Sequence, residues 1–131
     1  MMQAKSIEQL ENDYWPEPDY QTPLIKKCHL FRKMPVDDLS VDQVRLLLGQ
    51  KIGLKFLLPK AIAILQNDIL AEGDYYPGDL LANVLRLDKE DWKNNPNQRL
   101  TFEKLLTDGE KEIELSGDKK LLQLTDAWGT G

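Results

Sequence analysis

The sequence predicts an all-α fold, a compact single domain spanning residues 1–131 with about six to eight helices. Apolar residues recur at helical spacing through most of the chain, and helix-starting signals stand ahead of those runs. No stretch alternates apolar and polar residues between hairpin turns, and no internal repeat is visible. The 131 residues can build one hydrophobic core without disulfides or metal. With 41% hydrophobic and 30% charged residues, the chain lies outside the range in which a sequence stays disordered.

The first helix is expected from about Ser6 to Asn12, because Ser6 and Gln9 stand at capping-box spacing. Tyr14 to Tyr20 holds two prolines, which cannot donate backbone hydrogen bonds, and reads as an extended connector pinned by Trp15. Residues 1–21 thus form an N-terminal helix and proline-rich connector. Thr22 and Pro23 then pair an N-cap with proline at the first helical position. Leu24, Cys28 and Phe31 form the buried stripe of this helix, which should end near Lys33.

A second capping-box spacing, Ser40 to Gln43, starts a helix with Val41, Val44, Leu47 and Leu48 on one side and Gly49 or Gly53 at its end. Residues 53–70 are apolar nearly all round, as in a helix buried among others. Pro59 should kink this central element or split it near Leu58. Ala71 to Gly78 is a loop, rich in glycine, proline and acid. Leu80, Leu81, Val84 and Leu85 mark the next helix, a short element carries Trp92, and a last clear helix begins near Asn97 with Leu100, Leu105 and Leu106 inward. Ser116 to Asp118 breaks the pattern, and residues 126–131 are expected to be a mobile tail.

No apolar run reaches the roughly 20 residues that span a bilayer, and the N-terminus lacks the apolar stretch of a secretory signal, so a cytoplasmic location is expected. Cys28 is the single cysteine and His29 the single histidine. As helix neighbours they point about 100° apart, which suits no nucleophile and base pair, and together they fall short of a zinc site. Cys28 reads as a small core residue and His29 as a boundary residue. No catalytic residue, metal site or cofactor is identified.

The net charge of −5 is concentrated in residues 66–92, where seven acids face two bases. Such a surface repels phosphate backbones and favours a basic protein partner, which argues against nucleic acid. Asp37, Asp38 and Asp42 read as acids complementing a helix N-terminus. Asp79 reads as the cap of the helix that follows it. Tyr75 and Tyr76, in an acidic loop, have the area and polar tip of interface residues, with packing back onto the domain as the equal alternative.

The residues resemble the all-α immunity proteins of bacterial contact-dependent growth inhibition (CDI) systems, from about Leu10 to Leu106. The likeness is carried by Trp15 with its nearby prolines, by Leu39 to Gln50, and by Gly53-Leu54 followed by Leu57-Leu58-Pro59. Glu72 to Leu81 and the later Trp92 complete it. Val44 and Lys60 stand where the pattern has leucine. The resemblance implies a cytoplasmic, non-enzymatic protein that forms a 1:1 heterodimer with the C-terminal toxin domain of the cognate effector. The toxin would be a basic nuclease with its active site blocked, and no membrane or small-molecule substrate would be involved. Because shared motifs hold the fold while toxins differ, the expected contacts are Asp68, Glu72, Tyr75, Tyr76, Asp88, Glu90 and Asp91. The rival readings are a metal-dependent hydrolase built on Glu72, Asp74 and Asp79, and a protein-interaction adaptor outside the immunity class.

Overall fold

The computed structural model describes residues 4–17 and 22–128. Pro18, Asp19 and Tyr20 of the expected connector, and residues 129–131 of the expected tail, lie outside the described residues. Eight α-helices are present among them and no strand, in agreement with the predicted class.

Helix α1 (Ile7–Glu11) starts at Ser6, whose hydroxyl accepts from the Gln9 amide while the Gln9 side chain accepts from the Ser6 amide. The chain before it is held down by the Val36 amide, which donates to the Lys5 carbonyl. Helix α2 (Pro23–Arg32) is capped by Thr22, and a 3-10 turn (Val36–Asp38) leads to α3 (Val41–Gly49), capped by the Ser40 and Gln43 box. Helix α4 (Leu54–Asn67) is followed by the loop and by α5 (Asp79–Leu85). Helix α6 (Lys89–Lys93) is short, α7 (Pro96–Leu115) is long, and α8 (Lys119–Ala127) closes the described chain.

The core gathers on α4. Its Leu57, Leu58, Ala61, Ile62 and Leu65 are buried, and the helix packs against α3, α5 and α7. Each apolar stripe meets another here, so that helices too short to persist alone in water are held by tertiary burial. Helices α3 and α5 lie side by side, and the Asn83 amide on α5 donates to the Arg45 carbonyl on α3 at 2.9 Å.

Several expectations are corrected. Helix α4 runs through Pro59 without splitting in two. That proline is exposed near the start of the helix, so only the Lys55 carbonyl is denied its partner, at a position open to water. Gly49, one of the two expected ends, is the last residue of α3, and Gln50 is its C-cap. The left-handed residue after it is Lys51 (φ 57°), and Gly53 (φ 65°) instead begins α4. A Cβ on Gly53 would lie 2.9 Å from Cδ1 of Ile7, so the N-terminal segment packs directly over this turn. Leu24 and Leu100 are exposed, whereas Leu105 and Leu106 are buried as expected. Gly109 lies within α7, seated against Ile69, and Glu110 to Leu115 extend the helix. Trp128, placed by the sequence in a mobile tail, packs edge-on against Trp92 and Phe102, with α8 extending to Ala127.

Candidate partner-binding site

Chemistry concentrates where the loop between α4 and α5 meets the N-terminal end of α3. Asp79 is the first residue of α5, and Gly78 (φ 89°) takes the cap position. Its carboxylate does not cap the helix. It turns back into the loop, where Oδ1 accepts from the Gly73 amide at 2.7 Å and Oδ2 from the Tyr75 amide at 3.1 Å. Asp42, from the first turn of α3, accepts from the Asp74 amide at 2.9 Å and from Arg45 Nε at 2.5 Å. The Asp79 carboxylate lies 3.8 Å from the same Arg45 nitrogen. Two acids and one arginine thus hold three successive loop amides, Gly73, Asp74 and Tyr75.

The hydrogen-bonded segment leaves no room at Gly73, where a Cβ would come within 2.6 Å of Asp42 Oδ1 and 3.2 Å of its Cα. Glycine is required there by this close approach. The loop is further tied by the Gly78 amide donating to the Leu70 carbonyl and by an isolated bridge between Glu72 and Pro77.

Electrostatics follow from this geometry. Burial pushes the Asp42 carboxyl up, but the Arg45 side chain and the Asp74 amide more than offset it, and its pKa lies below the usual carboxylate range. The exposed Asp74 carboxyl is pushed up by the neighbouring Asp42 carboxyl through a side-chain hydrogen bond and through like-charge repulsion. Arg45 loses solvation, but its bond to Asp42 and the surrounding negative charge hold its proton more firmly than usual.

These shifts have opposite consequences for stability. The depressed Asp42 contributes stability above its unfolded pKa, which is lost as pH falls through its lower folded value. The raised Asp74 contributes below its unfolded pKa and loses that contribution as pH rises through its folded value. At neutral pH the Asp74 charge therefore opposes the knot. Asp74→Asn is expected to raise the melting temperature at pH 7, with the gain shrinking as pH falls through the raised folded pKa of Asp74 towards its unfolded value. Thermal unfolding of both proteins at pH 7 and pH 4 checks this, and equal stability at pH 7 would contradict it.

On this support stands Tyr75, 71% exposed, its ring face 4.5 Å from the Arg45 guanidinium. Tyr76 is half-buried. Of the other expected contact residues, Asp68 is exposed at the C-terminal end of α4 and accepts from the Leu70 amide. Glu72 is exposed at the base of the loop. Asp88, Glu90 and Asp91 are elsewhere, at the far end of the α3 and α5 pair. There Asp88 caps α6 in a reciprocal box with Asp91, and Lys51 reaches Asp88 Oδ2 at 2.5 Å and Asp91 Oδ2 at 3.1 Å. Lys51 lowers the Asp88 pKa, and the two acids in turn raise that of Lys51.

The acid of residues 66–92 is therefore split between two places roughly one α3 length apart, about 13 Å at 1.5 Å per residue. Each carries its own cation. Glu72, Asp74 and Asp79 do not converge on a common point either, since both Asp79 oxygens face backbone amides. Among the described residues no group of three His, Cys, Asp or Glu side chains is arranged to hold a metal ion.

The sequence pattern of the CDI immunity proteins matches residues 9–101, from within α1 to the first turns of α7. The chain belongs to the CDI immunity protein family. Comparison with curated proteins and with solved structures gives no match. In this immunity protein the family's segment contains the whole knot: Asp42, Arg45, Gly73, Tyr75 and Asp79. The knot residue that sequence reasoning missed is Arg45. Its signal was an arginine one turn after Asp42, with nothing local to show that it would meet Asp79 as well. The other omission is Arg32, 1% exposed on α2, which donates from Nη2 to Glu11 and to the Asp13 carbonyl beneath the Trp15 ring. Cys28 is buried, which pushes its thiol pKa up, and His29 meets Trp15 edge-on. Among the described residues, no helix is long and apolar enough to cross a membrane.

Proposed function

We propose that this immunity protein acts without catalysis in the cytoplasm, binding the C-terminal toxin domain of its cognate CDI effector 1:1 and blocking a basic nuclease site. The observation that carries the reading, beside family membership, is Tyr75: a largely exposed aromatic ring on a loop whose backbone is already fixed by Asp42 and Asp79. Interface aromatics bind well when little freedom remains to be lost, and a ring held in place before contact meets that condition. Glu72 beside it supplies charge complementary to a phosphate-binding cleft.

In this reading the loop, with Tyr75, Tyr76, Glu72 and Asp68, forms the contact centre. Asp88, Glu90 and Asp91 act mainly on approach, through charge that accelerates encounter. Asp88 and Asp91 also maintain α6, so Glu90 is the cleaner probe of the far end.

The test is titration of the toxin domain encoded beside this chain's gene. Wild-type protein is expected to abolish toxicity at one equivalent, and intact toxicity would refute the reading. Tyr75→Ala, which leaves the Tyr75 amide and its bond to Asp79 in place, is expected to weaken binding by about 2 kcal/mol or more, roughly thirty-fold. Glu90→Gln is expected to slow association and lessen its salt dependence with little change in dissociation, whereas Asp68→Asn with Glu72→Gln is expected to speed dissociation as well.

A further inference from the structure

A second surface has the opposite character. Between α6, the start of α7 and the end of α8 lies a groove of about 690 Å³ whose apolar wall includes Leu85, Trp92, Leu124 and Trp128. Lys89, Lys93 and Arg99 also line it. Lys89 and Lys93 stand one turn apart on α6, and neither has a carboxylate within ion-pair distance among the described residues. Arg99 pairs with Glu103 at 3.3 Å, and its guanidinium lies 5.9 Å from the Trp128 ring. The one acid in the wall, Asp88, is engaged by Lys51 and by the α6 cap.

One further observation bears on the groove. Trp92 is 4% exposed, and its indole Nε1–H is buried without an acceptor among the described residues. Buried donors are nearly always satisfied, and leaving one unpaired costs about 1–3 kcal/mol. The volume falls in the range of small-molecule sites, about 300–1,000 Å³, and is several times what a single side chain would fill. Half-buried Trp128, the C-cap of α8, packs edge-on against Trp92 in the groove wall. Leu124 and Trp128 lie beyond the residues matched by the family pattern.

We propose that the groove binds a small amphipathic anion, with an aromatic or short alkyl body between Trp92, Trp128 and Leu124 and a carboxylate facing Lys89 and Lys93. An oxygen of the ligand supplies the acceptor that Trp92 lacks. This site is independent of toxin recognition at the Tyr75 loop.

The experiment is a titration of the ¹⁵N-labelled full chain with naphthalene-2-carboxylate, following the three indole N–H resonances. Trp15→Phe and Trp128→Phe assign two of the peaks and leave Trp92 by elimination. Saturable shifts of Trp92 and Trp128 are expected with a Kd below about 1 mM, with Trp92 moving downfield and Trp15 unmoved. Naphthalen-2-ylmethanol, which lacks the charge, is expected to bind at least about five-fold more weakly, and Lys89→Glu with Lys93→Glu to weaken the carboxylate at least about ten-fold. Both lysines are exposed, and an unchanged Trp15 resonance in the double variant verifies its fold. Absence of saturation up to about 5 mM, equal movement of Trp15, or indifference to the charge reversal would each overturn the proposal.

Discussion

Asp79→Ala is expected to lower stability by about 3 kcal/mol and to abolish toxin binding with it. Asp79 is 3% exposed, so the Gly73 and Tyr75 amides lose acceptors at a site with little access to water. Each orphaned donor costs about 1–3 kcal/mol, and Arg45 keeps its ion pair with Asp42 but loses the Asp79 charge. For a domain of this size the loss corresponds to a fall in Tm of about 10 °C. Asp79→Asn separates the causes. It retains one carbonyl acceptor, so it should fall between wild type and alanine, whereas a helix-capping role would predict a loss of only about 1 kcal/mol for alanine and almost none for asparagine, itself a good cap. Urea unfolding of the three proteins gives the comparison. A cost below about 0.5 kcal/mol for Asp79→Ala would show that the knot does not hold the loop.

Arg32→Ala is expected to cost a similar amount, about 3 kcal/mol, for a different reason. Arg32 is among the largest fully buried side chains, lying 3.9 Å from the Trp15 ring centroid and bonded to the Asp13 carbonyl at 2.7 Å. Its partner Glu11 is about one-third exposed and rehydrates once released, so most of the loss comes from the void and the unpaired carbonyl, with little from the ion pair. Lysine should not rescue, because an ammonium cannot stack its plane on the indole while reaching two acceptors. The change should leave α3, α5 and the Tyr75 loop intact, so toxin affinity per folded molecule is expected to hold. Denaturant unfolding together with toxin binding checks both halves. Rescue by lysine, or a stability change within about 0.5 kcal/mol, would refute the anchoring role.

The two sites differ in how visible they are from sequence. Asp42, Tyr75 and Asp79 were all singled out, because acids near helix starts and tyrosines in a glycine-rich loop carry local signals. Asp42 does stand in the first turn of α3, as its spacing predicts, but Asp79 caps no helix, and the role they share is invisible because 37 residues separate two acids that meet at one arginine. The expected acidic patch was likewise a property of linear position. Helix α5 carries the chain from one end of α3 to the other, dividing the charge that lies in one segment of sequence. Buried Arg32 was missed because arginine at that position also fits a solvated helix face, and only the returning N-terminal connector supplies its acceptors. Trp92 and Trp128 meet across 36 residues, so neither could announce the groove that both line.

What the sequence determined by itself is the set of helices and most of their starts. Helical periodicity and the Ser6, Thr22 and Ser40 caps act within a few residues, where nothing distant is needed. Membership of the immunity family is legible there too, through motifs that mainly maintain packing. Tertiary structure alone decided which acids are spent on backbone amides and cations, and which ring remains presented to a partner. Hydrogen bonds such as those of Asp79 and stacking such as that of Arg45 depend on chain segments brought together by burial of the α4 core, and that information is absent from any local window.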